Sequence, residues 1–152
     1  MLKSPGNFLA FGFGAGLAPV APGTFGTLAA IPFFLLANGL GPAFYAGALL
    51  VAFVAGVGLC ARAAASLDAP DHPAIVWDEM VGLWVALCFV PVSWGAVILG
   101  FALFRLFDIV KPWPIRPIDR QLGGGLGIML DDVVAGLLAN GVLRLLLPYL
   151  PV

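Results

Sequence analysis

Eight acidic and seven basic side chains are the only strong charges in these 152 residues, and they are clustered. Two adjacent acidic pairs stand out, Asp78 with Glu79 and Asp131 with Asp132, beside single acids at Asp68, Asp71, Asp108 and Asp119. Neighbouring carboxylates repel, and next to lipid they are costly. A bound divalent cation offsets both effects, and oxygen-only ligands suit Mg2+ or Mn2+. Asp78, Glu79, Asp131 and Asp132 are therefore candidate metal ligands. Helix capping is the competing explanation, because acids in a first helical turn interact favourably with the macrodipole. Arg105 stands three residues before Asp108, on the same helix face, and Lys111, Arg116 and Arg120 follow. Arginine grips phosphate with a bidentate fork, and lysine acts as a point charge. Carboxylates, a divalent cation and Arg or Lys together are equipment for phosphoryl chemistry. Anchoring to anionic lipid headgroups is the alternative role for the cations. It suits Lys3 and Arg120, whereas Arg105 and Lys111, set among prolines and aromatics, suit a site.

Other nucleophile arrangements are missing. The single histidine, His72, stands in a polar turn and reads as a solvent-facing loop residue. Neither Cys60 nor Cys88 begins a Cys-x5-Arg phosphatase loop, and no Asp-x-Asp-x-Thr is present. The two cysteines sit in apolar runs without metal spacing and read as small buried hydrophobes. A metal-activated water is the economical nucleophile, with a carboxylate as base; an aspartyl-phosphate intermediate stays open. The glycines at 12, 14 and 16 lack a strand-to-helix context for dinucleotide binding. The run Ala-Pro-Gly-Thr-Phe-Gly-Thr at 21–27 is more informative. A helix N-terminus there, with the hydroxyls of Thr24 and Thr27, could hold a phosphate.

The elements that carry these residues are apolar. The chain is 62% hydrophobic and 10% charged, with a mean hydropathy of +1.08. Ordinary soluble domains carry about 25% charged residues. So little charge cannot cover a water-facing surface without exposing large apolar patches, so lipid is the expected solvent. A formal net charge of −1 gives no field for nucleic acid. Pro19, Pro22 and the early glycines interrupt any signal-peptide core, so no cleaved signal is expected. Apolar runs predict helices at 24–37, with Thr24 as N-cap, and at 43–65. The second is about 34 Å long, enough for a bilayer core of ~30 Å. Further helices are predicted at 74–90, 92–107 and about 128–148, with 108–127 as a long polar loop. The expected fold is one all-α domain over 1–152, a polytopic membrane bundle of about five helices. The short helices at 24–37 and 74–90 are expected to be tilted or re-entrant. Folding the runs back and forth gathers every acid and six basic residues, Lys3, Arg62, Arg105, Lys111, Arg116 and Arg120, on one face. Arg144 falls elsewhere. The positive-inside rule makes that face cytoplasmic.

Three segments then resemble one family: residues 12–27 with APGTFGT, residues 71–82 as DHPAIVWDEMVG, and residues 104–136 as FRLFDIVKPWPIRPIDRQLGGGLGIMLDDVVAG. The chain resembles the phosphatidylglycerophosphatase A family, and its hydropathy places it with the membrane branch. The resemblance implies an Mg2+-dependent phosphatase of the bacterial inner membrane that converts phosphatidylglycerophosphate to phosphatidylglycerol and phosphate. It puts Asp78, Glu79, Asp108, Lys111, Asp131 and Asp132 at the family's motif positions. The implied catalytic set is Asp78, Glu79, Asp108, Asp131 and Asp132. Thr24, Thr27, Arg105, Lys111 and Arg116 are expected to bind substrate. The alternative class is a non-catalytic transporter or lipid-binding scaffold whose acids line an ion path.

Overall fold

The computed structural model describes residues 4–150, so Lys3 lies outside them. The described residues are all-α, with no strand among them. In order they form α1 (Pro5–Ala10), a 3-10 helix (Gly12–Leu17), α2 (Pro22–Gly39), α3 (Pro42–Leu67) and α4 (Trp77–Ala86). Then follow α5 (Trp94–Val110), α6 (Ile115–Gln121), α7 (Gly124–Leu146) and a last 3-10 turn (Leu147–Tyr149). Prolines open α1, α2 and α3, where a missing N–H costs nothing and the fixed φ already suits a helix. The Ser93 hydroxyl accepts the Ala96 N–H at 3.1 Å and caps α5.

Several expected boundaries shift. Ala21, in the left-handed region at φ 47, precedes Pro22 as the N-cap of α2, so Thr24 lies inside the first turn. The segment 74–90 contracts to the ten residues of α4. The expected loop 108–127 holds the last turn of α5, all of α6 and the start of α7. Pro117 does not prevent α6, because the first N–H groups of a helix have no intrahelical acceptor. The glycines after Leu122 open α7 because it packs closely on α3. A Cβ on Gly125 would stand 1.9 Å from the Val57 carbonyl oxygen.

Two helical stretches are long and apolar enough to cross a membrane, Pro42–Leu67 with hydropathy 2.1 and Gly124–Tyr149 with hydropathy 1.7. By contrast, α4 is about 15 Å long and cannot span. On α3, Leu50, Val51 and Val54 are 64%, 67% and 63% exposed and form an outward apolar face.

The centre of the bundle is the contact of α7 with α4, flanked by α3, α5 and α6. At the α4–α7 crossing the backbones nearly touch. A Cβ on Gly136 would lie 2.4 Å from the Gly82 carbonyl oxygen, and one on Gly82 would lie 2.5 Å from the Phe104 ring. Small residues permit this approach between apolar helices. Indole and phenol groups tie α4 to its other neighbours. Trp77 Nε1 donates to the Ala52 carbonyl at 3.0 Å, Trp84 Nε1 to Ala30 at 3.2 Å, and the Tyr45 hydroxyl to Trp84. The two helices run in the same sense. Asp78 and Asp131 line one hollow at their N-terminal ends, and Asn140 bonds the Ala86 carbonyl towards their C-terminal ends.

Candidate active site

The close crossing decides where the acids go. Asp78 and Glu79 precede Gly82 by about one turn, and Asp132 precedes Gly136 by one turn, so the crossing brings both pairs to a common cavity. That cavity, about 170 Å3, is lined by Asp71, Asp78, Glu79, Asp108, Asp131 and Asp132, with Lys111 on its wall. Each acid arrives from a different local context. Asp78 and Glu79 occupy the first turn of α4, which starts where the Val76 N–H bonds back to the Ala10 carbonyl at 2.9 Å. Asp108 lies in the last turn of α5. Asp131 and Asp132 lie about two turns into α7, not at its opening, and the first turn of α7 has no acid. The capping explanation therefore does not apply to them, because the macrodipole effect fades beyond the first turn.

Six carboxylates meet two cations here. One Nη of Arg105 bonds Glu79 Oε1 at 3.1 Å and also bonds Asp108. Lys111 Nζ donates to Asp131 Oδ2 at 2.7 Å and to Asp119 Oδ1 at 3.1 Å. Lys111 is the C-cap of α5 in the left-handed conformation, φ 49, a turn that carries its side chain back towards α7. A non-glycine residue held there is strained, and such strain gathers at functional sites. The other oxygen of Asp131 accepts the Asp132 N–H at 3.0 Å. Asp78, Asp131 and Asp132 are all buried. Asp78 Oδ1, Glu79 Oε2 and Arg105 Nε are buried with no hydrogen-bond partner. An unpaired buried polar atom ordinarily costs about 1–3 kcal/mol, and two of the three belong to acids on the cavity wall, the third to the arginine that bonds one of them.

Charge and burial act on these groups together. Burial, then the neighbouring charges of Glu79 and Asp131, hold the Asp78 carboxyl well above the usual range. Burial pushes Glu79 up to about 8 against the opposing pull of Arg105. For Lys111, burial favours the neutral amine, but the hydrogen bond to Asp131 outweighs it and holds the ammonium above its ordinary value.

The expected substrate binders divide. Lys111 lines the acidic cavity, and Arg105 bonds Glu79 and Asp108 on its wall. Thr27 is fully buried and its hydroxyl donates to the Gly23 carbonyl of its own helix at 2.7 Å, so it offers nothing to a phosphate. Thr24 is also off the cavity wall, and from this run only Pro22 and Gly23 line it. The contribution of 21–27 is its glycine. A Cβ on Gly23 would stand 1.9 Å from Glu79 Oε1, so a larger residue would displace the carboxylate that Arg105 holds. Arg116 donates to the Val110 carbonyl at 3.3 Å and lines a different hollow. His72 Nδ1 accepts the Ala74 N–H at 3.1 Å and serves the turn before α4. Sequence reasoning passed over Gly23, Asp71 and Asp119. Asp71 carried a signal, since it opens the DHPAIVWDE run that ends in the first acidic pair.

Comparison with known proteins fits this constellation. The family model for phosphatidylglycerophosphatase A matches residues 8–147. The chain belongs to the phosphatidylglycerophosphatase A family. A relative of that name in Escherichia coli (strain K12) is 46% identical, with 93% of this chain and 83% of the relative covered. Its counterpart in Haemophilus influenzae is 44% identical over 91% of this chain and 86% of the relative. A Bacteroides thetaiotaomicron protein, named as a candidate phosphatidylinositol-3-phosphatase, is 41% identical over 82% of each chain. No solved structure matches. Membership of the phosphatidylglycerophosphatase A family makes the chain an enzyme, a phosphoric monoester hydrolase, and removes the transporter and scaffold alternative.

Proposed function

We propose that this enzyme releases phosphate from phosphatidylglycerophosphate at a membrane surface, using Mg2+ held in the acidic cavity. The observation that carries the reading is the pair of buried, unpartnered carboxylate oxygens, Asp78 Oδ1 and Glu79 Oε2, facing a cavity with an excess of negative charge. Among the described residues, no three carboxylate, imidazole or thiol groups converge closely enough to hold a metal ion unaided. That donor set still fits Mg2+, which takes one or two carboxylates and completes its shell with water and substrate phosphate oxygens. Asp78 and Glu79 would be the direct ligands, with Asp131 and Asp132 bordering them. Bound there, the cation would offset charge on the phosphoryl oxygens and acidify a water.

The chain's own side chains do the rest. Arg105 holds Glu79 and Asp108 in place through one guanidinium nitrogen. Lys111 lies beside Asp131 and offers its ammonium to the incoming phosphate. Asp131, oriented by Lys111 and by the Asp132 N–H, takes a proton from the attacking water. The water oxygen bonds to phosphorus, the bond to the glycerol oxygen breaks, and that oxygen leaves with the proton that Asp131 took from the water. The two relatives named phosphatidylglycerophosphatase A support this substrate. The Bacteroides relative's name describes another lipid whose phosphomonoester lies beyond a phosphodiester, so phosphatidylinositol 3-phosphate is the control substrate.

We place the enzyme in the bacterial inner membrane as a multi-pass protein with the cavity facing the cytoplasm. In support, Lys111 lines the cavity and Arg105 bonds two of its acids, with Arg116 and Arg120 on the adjoining hollow, whereas Arg144 bonds carbonyls at the far end of α4. The test is phosphate release from phosphatidylglycerophosphate in detergent micelles. Release that stops with a chelator and returns with Mg2+ is expected. Release indifferent to the chelator removes the metal, and faster release from phosphatidylinositol 3-phosphate changes the substrate.

A further inference from the structure

Beside the acidic cavity lies a second hollow of opposite charge, about 450 Å3 in volume, with Lys111, Trp113, Arg116 and Arg120 on its wall. Lys111 lines both spaces, so a ligand crossing from one to the other passes its ammonium. The two arginines differ from the cations of the acidic cavity. Arg105 and Lys111 are neutralised by carboxylates on both sides. Arg116 gives one hydrogen bond to a backbone carbonyl, and neither Arg116 nor Arg120 forms an ion pair among the described residues. Four residues apart on α6, they share one helix face. Trp113, 82% exposed at the rim, is the kind of amphipathic ring that sits at a membrane–water boundary.

We propose that this basic hollow binds the substrate's bridging phosphodiester while the acidic cavity holds its terminal phosphomonoester. The assignment rests on the lipid-phosphatase reading above and adds how the headgroup is recognised. A cavity with six carboxylates is a poor host for a headgroup carrying two phosphates. Uncompensated guanidinium groups next to it supply the missing attraction, and their forks match phosphate oxygens. The two phosphates of such a lipid are one glycerol unit apart, and here two spaces of opposite charge meet at Lys111. The hollow thus acts as a ruler that favours a phosphomonoester lying one spacer beyond a diester.

The experiment compares phosphatidylglycerophosphate with phosphatidate, which has the monoester and the acyl chains but no diester. Both are presented in micelles of uncharged detergent, so bulk anionic lipid cannot contribute. Wild type should show a kcat/KM preference for phosphatidylglycerophosphate. In Arg120→Ala and Arg116→Ala that preference should shrink by about tenfold each, through KM rather than kcat, as loss of a charged hydrogen bond predicts. Arg120→Lys should recover part of it. Arg120 carries no internal hydrogen bond that its loss would leave open, which keeps the test informative if Arg116→Ala folds poorly. An equal fall on both substrates would make the arginines membrane anchors and overturn the subsite. Equal wild-type turnover of both lipids would overturn the subsite and leave the phosphatase standing. No phosphate from either lipid would sink the phosphatase reading itself.

Discussion

At the N-terminal end of the α4–α7 pair, Asp78 Oδ1, Glu79 Oε2 and the nearby Arg105 Nε are buried without a partner; at the C-terminal end, the carbonyls beyond α4 are supplied from α7. Asn140 Nδ2 donates to Ala86 at 2.9 Å and to Cys88 at 3.0 Å. The Arg144 guanidinium donates to Cys88 at 2.9 Å and to Phe89 at 3.1 Å, and its Nε holds Asn140 Oδ1 at 2.8 Å. A short helix that stops inside a bundle leaves its last carbonyls without intrahelical partners, and here two side chains fill them. A cation at a helix C-terminus is also favourable in the macrodipole field. One end of a single helix pair is thus closed for stability, and the other is left open at a cost in stability. Proteins keep such unsatisfied polar groups where a ligand will complete them.

Removing charge at the open end gives the largest expected effect. Glu79→Gln and Asp131→Asn should each lower phosphate release by about 10²-fold or more, the first because an amide is a much poorer ligand for a hard cation and the second because an amide cannot take the proton of the attacking water. Asp68→Asn is the control. Asp68 caps α3 in the left-handed region at φ 51, which asparagine also tolerates, so it should stay near wild type. Asp78→Asn sharpens the contrast. Without a ligand, its melting temperature in detergent should equal or exceed that of wild type, since a buried like-charge contact is relieved. A lower melting temperature with activity retained would make the acidic end structural and erase the difference between the two ends.

Gly136→Ala touches both ends at once. Its new methyl would meet the Gly82 carbonyl at 2.4 Å and Val85 Cβ at 2.9 Å, so α4 and α7 must separate. Overpacking of this kind costs about 1–3 kcal/mol. An ångström of misplacement can cost ~10²-fold in rate, so activity should fall much further than stability. Wild-type kinetics in a folded Gly136→Ala protein would show that the crossing does not set the acid geometry.

The closed end predicts the reverse pattern. Asn140→Ala leaves one buried carbonyl unpaired and should lower unfolding stability by about 1–3 kcal/mol. Turnover below the melting transition should stay within about twofold, because the site is remote. A large loss of turnover without a loss of stability would tie the clamp to catalysis. The smallest effect concerns orientation alone. In a background lacking Cys60 and Cys88, a cysteine at exposed Leu122 should react with an impermeant reagent only from the cytoplasmic side. Labelling from outside intact cells would invert the topology without touching either end's chemistry.

What the amino-acid sequence indicated by itself was local chemistry and an expected solvent. The scarcity of charge called for lipid, the proline-bounded apolar runs called for helices, and the acidic pairs with Arg105 and Lys111 called for phosphoryl chemistry. These signals depend on residue type and on spacing within a few turns. The same logic could not place residues whose surroundings depend on distant partners. Asp131 and Asp132 looked able to cap a helix until α7 proved to begin at Gly124. Thr24 and Thr27 looked like phosphate ligands, whereas Gly23 is the residue of that run that meets Glu79. A polar loop was expected where α6 carries Arg116 and Arg120. Which carboxylate oxygens remain unpaired was decided only when α2, α4, α5 and α7 converged. That convergence is set by close approaches of Gly23 to the Glu79 side chain and of Gly136 to the Gly82 backbone, between segments more than fifty residues apart in sequence. No local pattern encodes such contacts, because a glycine reads the same in a turn as in a helix crossing until its neighbour is known.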